Sequence, residues 1–218
     1  KVKAERKLPK FQCTASEGDP LEELLNWAEE INPDLVVIGR REKPNSFGIL
    51  PKNLVRKAEA NVLIIPEKPT EQLKTILVPI DFSENSARAL QEAARLVSQM
   101  KTPARIIAAH VFSMPTLSVY QTSKTMDQFG RMIRDNIEDA FAAFINKLNE
   151  ADVEIEMLMI EQDMPGISSY LVQHAEQSAA DLIIIGVKGH SNVELLLLGS
   201  VTEKLLNLNH NIPVLVIK

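Results

Sequence analysis

The chain of 218 residues has a single cysteine, Cys13, so no disulfide can form within it. No secretory segment is apparent, and no apolar run is long enough to span a bilayer. Positive charge is not in excess. The net charge of −5 argues against nucleic-acid binding as the main role and leaves room only for a local basic patch. Metal-ligand spacing is absent among His110, His174, His190, His210 and Cys13. A nucleophile elbow is also missing. These absences leave a cytoplasmic protein with no membrane and no nucleic-acid partner as the expectation. The composition that remains is 45% apolar and 24% charged, which supports a packed core in one large domain or two small ones. The sequence opens on Lys1 rather than methionine, so upstream residues are expected to be missing.

The chain repeats itself. Residues 34–39 (DLVVIG) recur as 181–186 (DLIIIG), and 61–66 (NVLIIP) recur as 213–218 (PVLVIK). A helix-like segment lies between the members of each pair and another lies ahead of it, at 20–31 and 165–179. Matched order over several elements is the mark of a duplicated unit.

The second copy reads as complete. Apolar runs at 75–80, 106–111, 153–160, 181–185 and 213–217 predict strands, and helical periodicity predicts helices at 83–100, 126–149, 167–179 and 200–208. Ser83 is placed to cap the first of these helices, whose inward stripe is Leu90, Ala93, Ala94 and Val97. The long helix carries Met132, Ile133, Ile137, Phe141, Phe144, Ile145 and Leu148 on one side, a stripe read as core. Alternating strand and helix implies an α/β fold with a doubly wound parallel sheet of five strands, covered on both faces. The first copy reads as partial. Strands are predicted at 11–15, 35–38 and 62–65, with helices at 20–31 (Leu24 and Trp27 facing the core) and near 50–58. The expected organisation is therefore a partial first domain at 1–68, a polar linker at 69–73 and a complete second domain at 74–218.

One stretch carries chemistry. Residues 186–200 read GVKGHSNVELLLLGS, a glycine closing an apolar strand, a second glycine after two residues, then nine residues and Gly199-Ser200 opening a helix. Glycine lets bare amides approach phosphate oxygens, and a helix N-terminus favours negative charge. The spacing matches neither the dinucleotide fingerprint nor the Walker loop.

In that pattern the chain resembles the universal stress protein family, supported by residues 77–83 (LVPIDFS) and 109–111 (AHV). The resemblance implies a fold like that of adenine nucleotide alpha hydrolases and, in nucleotide-binding members, a site for ATP or another adenine nucleotide, with magnesium as a candidate companion. Carried over residue by residue, Asp81 would meet ribose or adenine, Val111 would offer backbone groups to adenine, and Pro79 would shape the wall. Gly186 and Gly189 would admit phosphates. Gly199, Ser200, Val201 and Thr202 would supply amides and hydroxyls, and Lys188 would pair with a phosphate. Each has a plainer alternative: Asp81 as a turn or cap residue, Pro79 and Val111 as core, Ser200 as a helix cap, Lys188 as a solvated cation. Asn192 stands where members often have glycine, a residue that also tolerates left-handed backbone.

The first copy departs from the pattern. Arg40, Arg41 and Glu42 follow Gly39, the loop reaches Gly48 four residues early, and Ile49 replaces the serine. This copy is expected not to bind ATP, and Arg40 and Arg41 read as a solvated basic turn, with service to another anion as the alternative. The serine-rich pyrophosphate loop of related ATP-splitting enzymes and the His-x-Gly-His pattern of nucleotidyl transferases are both missing. The expectation is a regulatory binding protein that is not an enzyme, with at most slow, incidental ATP hydrolysis. It would act on an unknown protein partner through nucleotide-dependent contacts, and the alternative is a scaffold or small-molecule carrier. The resemblance also implies that the closing strands 62–65 and 213–217 pair within the chain, and that whole chains can form a homodimer.

Overall fold

Short aliphatic runs bounded by aspartate, proline or glycine become strands, and the amphipathic stretches between them become helices. The computed structural model describes residues 12–40, 48–70, 72–114, 126–148, 153–189 and 198–218. Among these the first copy contributes α1 (Pro20–Ile31), β1 (Leu35–Gly39), α2 (Ile49–Lys57) and β2 (Asn61–Ile65). The second contributes β3 (Thr75–Pro79), α3 (Glu84–Ser98), β4 (Arg105–Phe112), α4 (Met126–Leu148), β5 (Ile155–Glu161), α5 (Ile167–Gln177), β6 (Leu182–Gly186), α6 (Ser200–Leu208) and β7 (Val214–Ile217).

All these strands lie in one sheet, in the order β1-β2-β7-β6-β3-β4-β5. The run from β7 to β5 is parallel throughout, which is the doubly wound five-stranded arrangement expected of the second copy. β1 and β2 are parallel to each other and join the rest through an antiparallel pairing of β2 with β7, Leu63 opposite Leu215. The two closing strands therefore pair within the chain, as the resemblance implied.

Helices cover the two faces unequally. On one face α1, α2, α5 and α6 bury Val55, Leu171, Ala175, Leu205 and Leu206 against Val62, Ile64, Ile183 and Val216. On the other, α3 and α4 bury Leu90, Ala93, Ala94, Val97, Phe144 and Leu148 against Ile76, Val78, Ile184 and Ile217. The α3 stripe is as predicted, and the Ser83 Oγ caps that helix by accepting the Ser86 N–H at 3.3 Å. Along α4 the predicted stripe is inward, most deeply at Phe144 and Leu148.

Two expectations for the first copy are overturned for one reason. The strand predicted at 11–15 is not formed, since residues 12–15 are exposed and irregular. Its counterpart β5 bonds to β4 alone, and β4 has no copy among the described residues of the first half, so residues 12–15 have no ladder to join. Leu24, predicted to face the core, is 41% exposed, whereas its counterpart Leu171 is 2% exposed in the cluster with Ala109 of β4 and Ile160 of β5. Trp27 is half-buried, and Leu25 is the α1 side chain that meets the core. The other face shows the same asymmetry. Val37 is 55% exposed, while its counterpart Ile184 is fully buried in the cluster that includes α3.

Candidate functional site

β3 sits between β6 and β4, so the chain leaves its C-terminal end in one direction and returns to the sheet on the other side. Such a reversal opens a crevice beyond the strand ends. A cavity of about 300 Å³ lies there. That is at the small end of the usual range for ligand clefts, roughly 300–1,000 Å³. Pro79 and Asp81 enter from the end of β3 and Val111 from β4. Gly186 ends β6, Lys188 and Gly189 follow it, and Gly199, Ser200, Val201 and Thr202 come from the start of α6. The cavity thus gathers every residue the sequence had singled out. Ser86, Ile167 and Leu171 also line it, and no motif marks them.

The turn after β3 is held under strain. Phe82 has φ +63°, in the left-handed region that a bulky residue rarely occupies. Its ring is fixed against His110, at 4.7 Å between centroids, and edge-on against Phe144 at 5.5 Å. Asp81 Oδ1 accepts the Ser83 N–H at 3.0 Å. The turn-holding role of Asp81 is therefore real and occupies one oxygen. Its Oδ2 is within clashing distance of a Cβ built on Gly189. The half-buried His110 lines the cavity. Its Nδ1 is 3.0 Å from the Ile80 carbonyl oxygen, which accepts only if that nitrogen carries the proton.

The glycines have more varied duties than phosphate access alone. A Cβ at Gly186 would stand 2.9 Å from both the Cβ and the carbonyl oxygen of Asn85, so glycine here lets the first turn of α3 close on β6. The Gly199 N–H, expected to be offered to a ligand, donates to the Val187 carbonyl at 2.9 Å. Thr202 Oγ1 donates to the Gly186 carbonyl at 2.8 Å, so the hydroxyl proton expected to face phosphate is committed to the strand. Gly199, not Ser200, is the helix cap, and Ser200 is the exposed first residue of α6. The amides of Ser200, Val201 and Thr202 are in the first turn, where a helix provides no internal acceptor.

Lys188 is half-buried at the cavity, close enough to Lys218 for their charges to interact. Burial, and then Lys188, push the Lys218 ammonium down to about 8. Arg40 departs from expectation. It is 7% exposed, and its guanidinium donates to the carbonyls of Leu206, at 3.3 Å, and Asn209 at the end of α6. Carbonyls in a last helical turn lack internal donors, and a buried cation there satisfies them. Arg41, Glu42, His190 and Asn192 lie outside the described residues. Among those described, no group of three or more His, Cys, Asp or Glu residues could hold a metal ion. No helix among them is long and apolar enough to cross a membrane.

The sequence model described as "Universal stress protein family" matches residues 1–66 and 72–218. The chain belongs to the universal stress protein family. The universal stress protein MJ0531 of Methanocaldococcus jannaschii is 28% identical over 145 residues, which are 66% of this chain and 82% of that protein. The stress response protein NhaX of Bacillus subtilis is 28% identical over 66% of this chain and 96% of its own length. Among solved structures, that of the M. jannaschii protein MJ0577 superposes with a TM-score of 0.51 at 26% identity, covering 66% of this chain and 95% of that one. A universal stress protein structure from Archaeoglobus fulgidus covers more of the chain, 92%, against 66% of its own length, with a TM-score of 0.61 and 20% identity. The broader overlap carries the fold of a universal stress protein across both halves of the sheet.

Proposed function

We propose that the second copy of this universal stress protein binds an adenine nucleotide, ATP or a close relative, in the crevice between β3 and β6. The nucleotide would regulate contacts with a protein partner during a stress response in the cytoplasm. The observation that carries this reading is the convergence, on one cavity, of the carboxylate of Asp81, the half-buried Lys188 and the first turn of α6. A helix N-terminus with unbonded amides suits an anionic tail, and a carboxylate suits hydroxyl or amine donors on the base and sugar. The names of the relatives, universal stress protein and stress response protein, support the stress role.

The residues fit the nucleotide better than they fit a metal site of the protein's own. Among the described lining residues the titratable side chains are Asp81, His110 and Lys188. A magnesium ion carried by the phosphates would find one carboxylate there, with Oδ1 already accepting from Ser83. Asp81 Oδ1 serves its turn and His110 Nδ1 meets a backbone carbonyl, and the family pattern gives neither residue the role of a general base. This reading therefore makes hydrolysis slow and incidental. The first copy, with its shortened loop, is assigned no nucleotide site.

Replacing Ser200 by proline tests the assignment without disturbing the helix. Proline is well tolerated at the first helical position, and Gly199 before it already has the extended ψ of 139° that proline demands. The change deletes one amide proton. If that amide meets a phosphate, one charge-assisted hydrogen bond of about 1.5–3 kcal/mol is lost, and the calorimetric Kd for ATP should rise about 10- to 150-fold with no fall in melting temperature. An unchanged Kd would remove α6 from the site. Wild-type protein that neither carries nor takes up adenine nucleotide, by mass spectrometry of released ligand, would leave the scaffold or carrier reading in its place.

A further inference from the structure

The helix that faces the cavity with its first turn is gripped elsewhere by the other repeat. At its far end, Arg40 stands directly after β1, at the position that Val187 occupies in the second copy. Its Nη1 donates to the carbonyls of Leu206 and Asn209, and its Nη2 meets His210 Nδ1. The Asn209 side chain closes the same turn, its Nδ2 donating to the Ile212 carbonyl at 2.6 Å and its Oδ1 accepting the Ile212 N–H at 3.1 Å. A guanidinium at this pole of a helix meets both the unbonded carbonyls and the negative end of the dipole.

At the near end, α6 carries one carboxylate in its first turn, Glu203. A carboxylate there favours the helix but opposes any other anion bound at the same pole. Two cations of α2 hold it: Lys52, and Arg56 at 3.2 Å. The Glu203 carboxyl is held below the ordinary range, by its hydrogen bond to Lys52 first and by Arg56 next. The contacts thus join the first copy to both ends of a helix that belongs to the second.

We infer that the first copy, whose own glycine loop is lost, is a positioning element for the second copy's site: Arg40, Lys52 and Arg56 fix α6 and cancel the Glu203 charge, and so set how tightly the cavity holds an anionic ligand. The inference rests on the nucleotide reading above and deepens it. Arg40, Lys52 and Arg56 touch no ligand and act through α6.

The test uses the full chain with ATP as the probe, and Leu148→Ala as a control that truncates the core at α4. Arg40→Met should raise the ATP Kd at least about fivefold, while Leu148→Ala leaves it within about twofold at comparable loss of melting temperature. The Lys52→Met/Arg56→Met pair should also weaken ATP. Adding Glu203→Gln to that pair should restore most of the affinity, because the repelling carboxylate is then gone. A purely structural role for the two cations would leave the triple variant as weak as the double. Hydrogen exchange provides a readout that needs no ligand. The Glu203 amide, bonded to the Gly199 carbonyl at 2.8 Å, should exchange at least about tenfold faster in Arg40→Met than in Leu148→Ala. Equal exchange, or equal ATP affinity in Arg40→Met and wild type, overturns the positioning role alone. Faster exchange in Arg40→Met, alongside wild-type protein that binds no ATP, keeps the grip on α6 and overturns the nucleotide reading alone.

Discussion

The Oδ2 oxygen of Asp81 occupies the space that a Cβ on Gly189 would need. Asp81 follows β3 and Gly189 follows β6, so any side chain at position 189 has to displace the end of a carboxylate arriving from a neighbouring strand. Replacing Gly189 by alanine should push the Asp81 side chain aside and weaken ATP at least about tenfold, with a change in unfolding free energy under about 1 kcal/mol because the site is half-buried. In a chain that already carries Asp81→Ala, the same alanine should cost nothing further in affinity. Titration calorimetry on the single and double variants measures this, and full additivity would separate the two residues.

Lys218 gives stability a distinct pH dependence. Its ammonium is pushed from 10.5 down to about 8, by burial and then by Lys188. A lysine with a lowered folded value is protonated more readily in the unfolded chain. Stability should therefore rise with pH between about 8 and 10.5 and level off above, with the full penalty present below 8. Lys218→Met should flatten that rise. Urea midpoints for both chains across the window test the sign.

Val37 is 55% exposed on β1, the edge strand among the described residues. Uncovered edges invite further pairing, between two copies of the chain in the simplest case. Val37→Lys should preserve melting temperature within a few degrees and reduce the mass-average of concentrated samples in light scattering. A monomeric wild-type chain at every concentration would dismiss the edge as an interface.

Cysteines at Leu63 and Leu215 probe the joint between the halves, since these positions are opposite each other in β2 and β7. In a Cys13→Ser background, oxidation should link them within one chain, seen as a mass loss of two hydrogen atoms and faster migration on a non-reducing gel. A disulfide closing so long a loop should stabilise by about 2–4 kcal/mol if its geometry is unstrained.

Much of this architecture was legible because the repeated aliphatic runs are bounded by clear breakers. Asp34, Gly39, Asp181 and Gly186 frame β1 and β6 in the sequence as they do in space. The cavity lining was legible for a different reason, namely that spacing and strand context came together at Gly186, Gly189 and Gly199. What could not be read was the use each group makes of its neighbours. Spacing marks Gly186 for phosphate and cannot show that Asn85 packs against the same glycine. Arg40 looked solvated because its partners, the carbonyls of Leu206 and Asn209, lie more than 160 residues away and carry no side-chain signature. Residues 11–15 have strand-like character, but a strand exists only with a neighbour, and periodicity in one segment is silent about the next.

The antiparallel seam between β2 and β7 turns the two halves head to tail. Strand tips that point up in the larger half point down in the smaller, so each half presents its loop rim to the opposite side of the molecule. That inversion brings Gly39 and Arg40 to the tail of α6 rather than to its mouth. Decay of a loop on one rim therefore leaves the lining on the other intact, and the vacated residues are free to become a foundation.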